Sequence, residues 1–242
     1  MGERGGCQSS DRAPTEGSHS IARRIGCAIA RLSLKQLESD AFIHPRFADA
    51  GRTYVYVLPC HGEDLLKVGF TRDPMQRFRT LHRRFYAFFD LEAALLIETE
   101  HLREARRLER LFIERWPEHQ APAPLAIPHS AAGHTEWFRG IRAAVSGFAN
   151  TLAQRYGYEM HAPLRAWLSA RFRERSDVLF DWALRMLDFI EYQTLNVSPE
   201  DRTGVYAQAL GDALDACRSV GLDVDTLVPD SVLRWYEKRS DS

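Results

Sequence analysis

The sequence predicts an α+β fold in its first half followed by an all-helical region, and three observations carry that reading. A β-branched and aromatic run, TYVYVL at 53–58, is separated by Pro59 and His61-Gly62 from a second such run, LLKVGF at 65–70. Two runs of that composition across a turn signal read as a hairpin. Apolar residues at helical spacing then end at Pro117, and beyond Phe138 only helical periodicity remains.

In chain order, residues 1–20 are rich in Gly, Ser and charge and are expected to form a disordered tail. Residues 21–50 follow as a helix and linker, because Ile21, Ile25, Ala28, Ile29 and Leu32 share one face while Arg23, Arg24 and Arg31 lie off it. An Arg-rich helix also suits organelle targeting or a membrane surface, but Glu3, Asp11 and Glu16 lie upstream and transit peptides avoid acids. Asp73 before Pro74 is a good N-cap, and the stripe Met75, Phe78, His82, Phe85 carries a helix onward from it. A third strand is expected at 91–99 and a helix at 101–116, then a long Pro- and His-containing loop to Gly133. Helices are expected at 141–156, 163–173, 178–195, 201–220 and 231–238. The domains that result are 51–140, an α/β module, and 141–242, a helical region able to bind a protein partner or to self-associate.

A formal net charge of -1 excludes a protein that is basic throughout, so any nucleic-acid surface must be a local patch. Four scattered cysteines without CxxC spacing suggest neither a zinc site nor a disulfide framework, and fit a reducing compartment. No apolar run approaches the roughly 18 residues needed to span a bilayer, and no signal peptide is evident, so a cytoplasmic location without membrane contact is expected.

The most informative residue is Glu109. With each helical residue advancing by about 100°, Leu102, Ala105, Leu108, Phe112, Ile113 and Trp116 share one face, and Glu109 projects among them. A carboxylate directed at apolar neighbours must be neutralised, ion-paired or bound to a metal. The preceding segment offers cations: Lys67, Arg72, Arg77, Arg79, Arg83 and Arg84 are interrupted only by Asp73 and interleaved with Phe78, His82, Phe85 and Tyr86. Such a patch suits a phosphate backbone. Arg72, Arg79, Arg83 and Arg84 are the expected DNA-backbone contacts, His61 and His82 are weaker phosphate candidates, and the irregular spacing of His119, His129 and His134 marks them as loop residues rather than metal ligands.

Strand TYVYVL, strand KVGFT, an Arg eight residues beyond Gly69, helical LERLFIERW and the ending HTEWF occur in the order of the GIY-YIG nuclease superfamily. The span 53–138 resembles the branch typified by a bacteriophage T-five open-reading-frame DNA-binding domain, in which KIG stands for YIG. The resemblance implies a small three-stranded antiparallel sheet with flanking helices and a DNA endonuclease that uses one Mg²⁺ or Mn²⁺. Tyr56 matches the Tyr of GIY, Gly69 the Gly of YIG, Arg77 the catalytic Arg and Glu109 the metal-binding Glu. Tyr56, with help from Lys67, would then orient or deprotonate water while Arg77 stabilises phosphoryl charge. Lys67 replaces the second motif's Tyr, Ile113 a His common in this branch, and Tyr54 the Gly of GIY; Trp137 and Phe138 are expected to close the core, with Glu136 ending the loop, the alternative being that Glu136 is a second polar group near the site. The alternatives are a DNA-binding module of this fold without catalysis, and a protein-interaction scaffold.

Overall fold

The structure, a computed structural model, describes residues 51–133 and 135–240. The expected tail and N-terminal helix, and His134, lie outside the described residues. All described residues lie in one of the two units into which the chain divides, His44–Ser242.

Strand β1 (Thr53–Pro59) pairs antiparallel with β2 (Leu65–Thr71), placing Tyr56 opposite Gly69. On its other side β1 pairs with β3 (Leu95–Thr99). The sheet does not stop at three strands: β4 (Trp137–Arg139) adds to β2 and β5 (Met160–His161) adds to β3, giving the antiparallel order β4-β2-β1-β3-β5. The three-stranded sheet expected from the sequence is thus overturned, as is the all-helical character of everything after Phe138. The physical reason is length. Segments of three and two residues are too short to show a period-two pattern, and their pairing is set by the sheet edges that receive them.

Seven helices longer than one turn, among the described residues, surround this sheet or follow it. Helix α1 (Pro74–Leu81) is capped by the Asp73 side chain, which accepts from the Gln76 N–H at 3.0 Å. It ends earlier than expected because His82 is extended and its ring stacks on Phe88, at 4.5 Å between centroids; a short helix α2 (Phe85–Phe88) resumes after the bend. β3 begins at Leu95 and not at residue 91, since Asp90 holds 91–94 in a turn by accepting from the N–H groups of Ala93 and Ala94. Helix α3 (Leu102–Arg115) runs into Pro117, and the one-turn α4 (His129–Ala132) lies in the following loop. Then come α5 (Arg142–Tyr156), α6 (Leu164–Glu174), α7 (Ser176–Asn196), α8 (Val205–Ser219) and α9 (Asp230–Ser240). Helix α8 starts after Gly204, whose φ of +67° suits a glycine, so of the helix expected from 201 residues 202–204 are not helical.

Alternation along the strands divides the sheet into two faces. Val55, Val57, Leu66, Val68 and Ile97 point to one side, where Ala105, Leu108 and Phe112 of α3 and Val145 and Ala149 of α5 complete a single core. Tyr54 and Tyr56 point to the other, with Tyr56 edge-on to Phe78 of α1 at 5.8 Å and Tyr54 edge-on to Trp167 of α6 at 5.6 Å. Residues 141–161 therefore build the same core and the same sheet as the hairpin. Among the described residues no helix is long and apolar enough to cross a membrane.

Phe112 is fully buried between sheet and α5 and packs edge-on to Phe148 at 5.2 Å. Phe112→Ala is expected to lower unfolding free energy by about 3–5 kcal/mol, read as a shift in the urea midpoint.

Candidate active site

Tyr56 is fully buried, and the position opposite it in the register explains Gly69. A Cβ built at residue 69 would lie 2.3 Å from the Tyr56 hydroxyl oxygen and 2.5 Å from its ring. Only glycine leaves room for a phenol to lie across β2 there. Arg77, on the half-buried side of α1, donates from Nε to the Tyr56 hydroxyl at 3.1 Å and from a terminal nitrogen to the Ala131 carbonyl at 3.5 Å. Its guanidinium is held by the strand on one side and by α4 on the other.

Lys67 is also fully buried, and its ammonium donates to the Glu136 carboxylate at 2.6 Å while lying 5.1 Å from the Trp137 ring centre. Burial lowers the Lys67 pKa, and the bond to Glu136 opposes that shift. Glu136 is brought here by β4: its carbonyl accepts from the Val68 N–H at 2.8 Å, and Trp137 stands opposite Lys67. Trp137 and Phe138 are fully buried, as a core-closing role requires, but Glu136 does more than end the loop. Gly133, at φ +67°, keeps the backbone clear of that carboxylate, which a Cβ would approach to 2.6 Å.

Glu109 projects from α3 at the margin of its buried face, half-buried, between Leu108 and the exposed arginines. Burial, and then the neighbouring Glu136 charge, push its carboxyl up to about 7, while Lys67 and Arg77 pull the other way. Burial pushes Tyr56 up to about 12, against the opposing pull of Arg77. The same five side chains thus feel one another's charge: Tyr56, Lys67, Arg77, Glu109 and Glu136. Four of them are those the sequence marked, and Glu136 joins them; the order HTEWF next to a strand edge was the one signal for it.

The remaining sequence candidates fall elsewhere. Arg72 is exposed just beyond β2, and half-buried Arg79 donates to the Met75 carbonyl at 3.2 Å. Arg83 pairs with Asp212 at 2.7 Å and Arg84 with Asp215 at 3.7 Å, both acids on α8. His61 is exposed, His82 is stacked on Phe88, His119 bonds the Arg139 carbonyl at 3.1 Å and His129 is exposed. A separate cluster that the sequence did not suggest, Glu98, Glu159 and His161, meets at the β3 and β5 edge; Glu98 there pairs with Arg52 and with His161.

With this geometry in view, the comparison with known families is specific. The T5orf172 domain model matches residues 53–153. The match begins with β1 and ends within α5, so it takes in every residue of the Tyr56, Arg77 and Glu109 site. It also takes in the helix that completes the core on the other face of the sheet. No curated protein and no solved structure matches the chain.

Two outcomes test this arrangement. Gly69→Ala is expected to cost about 1–3 kcal/mol of stability through overpacking against Tyr56, measured by chemical unfolding. Glu109 binds its proton more tightly folded than unfolded, so between the ordinary carboxylate range and about 7 the folded state carries more protons and stability falls as pH rises. Glu109→Gln removes that slope, and its stability relative to wild type should rise over the same interval.

Proposed function

We propose that the module spanning residues 53–153 binds DNA and hydrolyses a phosphodiester bond with one divalent cation. The observation that carries this reading is the clustering of a held guanidinium, a phenol and a half-buried carboxylate that feel one another's charge. The family match is consistent with a DNA-binding, nuclease-like module. A hard cation suits Glu109: its ionised form is opposed by burial and by Glu136, and a bound cation would favour that form beyond what Lys67 and Arg77 do. Such an ion, Mg²⁺ or Mn²⁺, would supply Lewis acidity toward a phosphoryl oxygen.

The chain's own groups divide the remaining work. Arg77 faces the phosphoryl oxygens and offsets the charge that builds on them. Tyr56 accepts from Arg77 through its oxygen and keeps its own proton for donation to water or a phosphate oxygen. Of the two roles the resemblance offers it, orienting is the one favoured by a phenol pushed up to about 12. Lys67 acts through Glu136, fixing that carboxylate beside Glu109. Arg83 and Arg84, about half exposed at 51% and 53%, keep one side open to a DNA backbone beside their bonds to α8, and exposed Arg72 is open to it as well.

A second reading is DNA binding without hydrolysis, and the engagement of Lys67 by Glu136 favours it, since the position that would hold a phenol carries an ammonium already bound. Incubation with supercoiled plasmid in Mg²⁺ or Mn²⁺ separates the two. Nicking by wild type, absent with EDTA and absent in Glu109→Gln while DNA affinity persists, is the expected outcome. Arg77→Ala should slow cleavage by about 10²–10³-fold. A salt-sensitive gel shift without nicking would leave the binding module, and absence of any shift would leave a protein-interaction scaffold.

A further inference from the structure

The charge of α3 is arranged around its axis in a way the site alone does not require. Arg103, Arg106, Arg107 and Arg110 are all exposed, and no carboxylate among the described residues forms an ion pair with any of them. At about 100° per residue, Glu109 lies at one margin of the buried face, Arg106 comes next toward solvent, and Arg110 and Arg103 follow. Two contacts confirm that order. Arg106 lies 5.8 Å from the ring centre of Phe70, the residue after Gly69, and its charge is felt by Glu109. Arg107 lies 5.8 Å from the exposed ring of Tyr156, on the far side.

These cations differ in kind from Arg83 and Arg84. The latter face Asp212 and Asp215 and fasten α8 to the α1–α2 bend, whereas the α3 arginines are exposed and form no ion pair among the described residues, and Arg106 adjoins the site carboxylate. Arg103, Arg106 and Arg110 recur once per turn over about 10 Å of helix axis. One DNA strand carries a phosphate about every 3.4 Å of its own axis, so this face spans about three. Glu114 at the C-terminal end is the one exposed acid on α3.

We propose that the outer face of α3, through Arg103, Arg106 and Arg110, is a phosphate-tracking surface that holds the DNA strand next to the one whose phosphate enters the Glu109 and Arg77 site. This rests on the reading that the module binds DNA. It adds binding residues the basic run at 72–84 did not contain, and it orients the DNA along α3 rather than across the α1–α2 bend.

The test is binding of a short labelled DNA duplex at a series of salt concentrations, with full-length protein. The variant Arg103→Gln/Arg106→Gln/Arg110→Gln should lose affinity, and the slope of log K against log salt should flatten by about 2 to 3. The corresponding three Arg→Lys substitutions should keep the wild-type slope, which separates lost charge from lost fold. A Gln variant with wild-type affinity and slope, or a Lys variant that loses both, overturns the assignment alone. Wild-type protein that does not bind DNA overturns it together with the reading beneath it.

Discussion

A lysine with no access to water is the constraint on which the site is built. An ammonium buried at Lys67 without a partner would cost several kcal/mol, so the second strand of the hairpin is tenable only if a carboxylate is delivered to it. Glu136 is that carboxylate, and it arrives because β4 adds to the edge of β2. The long segment between α3 and β4 must therefore return to the hairpin, and in returning it brings the Ala131 carbonyl to Arg77. One ion pair thus accounts for the fourth strand, for the closure of the core by Trp137 and Phe138, and for the second acid beside Glu109.

The electrostatics of the module follow from the same pairing. Glu136 neutralises Lys67 but carries the same charge as an ionised Glu109. It satisfies the lysine and raises the proton affinity of Glu109. Helix α3 is left with a carboxyl group pushed up to about 7, near a guanidinium already oriented by a phenol. Cations elsewhere are divided between two tasks: Arg83 and Arg84 join the C-terminal helices to the α1–α2 bend, and the α3 arginines stay in water.

Much of this was legible in the sequence because it depends on local pattern. Tyr56 and Lys67 sit on strands with clear β composition, Arg77 on a helix with an Asp-Pro start, and Glu109 on an amphipathic helix whose periodicity exposes an acid among apolar residues. What sequence reasoning missed depends on edges and partners. Strand β5 is two residues long, β4 three, and neither carries a periodic signal; the alternative of Glu136 as a polar group near the site could not be chosen from sequence because it depends on its strand landing beside Lys67. Likewise nothing local distinguishes Arg83, which pairs with Asp212 far along the chain, from Arg103, which pairs with no carboxylate among the described residues.

The contact between Tyr56 and Gly69 has a consequence for how such a chain can change. The two positions face each other across a fixed register, and the volume of one is the vacancy of the other. Neither can be exchanged freely on its own: a side chain at 69 demands a smaller residue at 56, and a smaller residue at 56 leaves a void that only a side chain at 69 can fill. Drift at this pair must pass through an intermediate that is either overfilled or hollow, which makes the phenol durable for reasons of packing as well as chemistry.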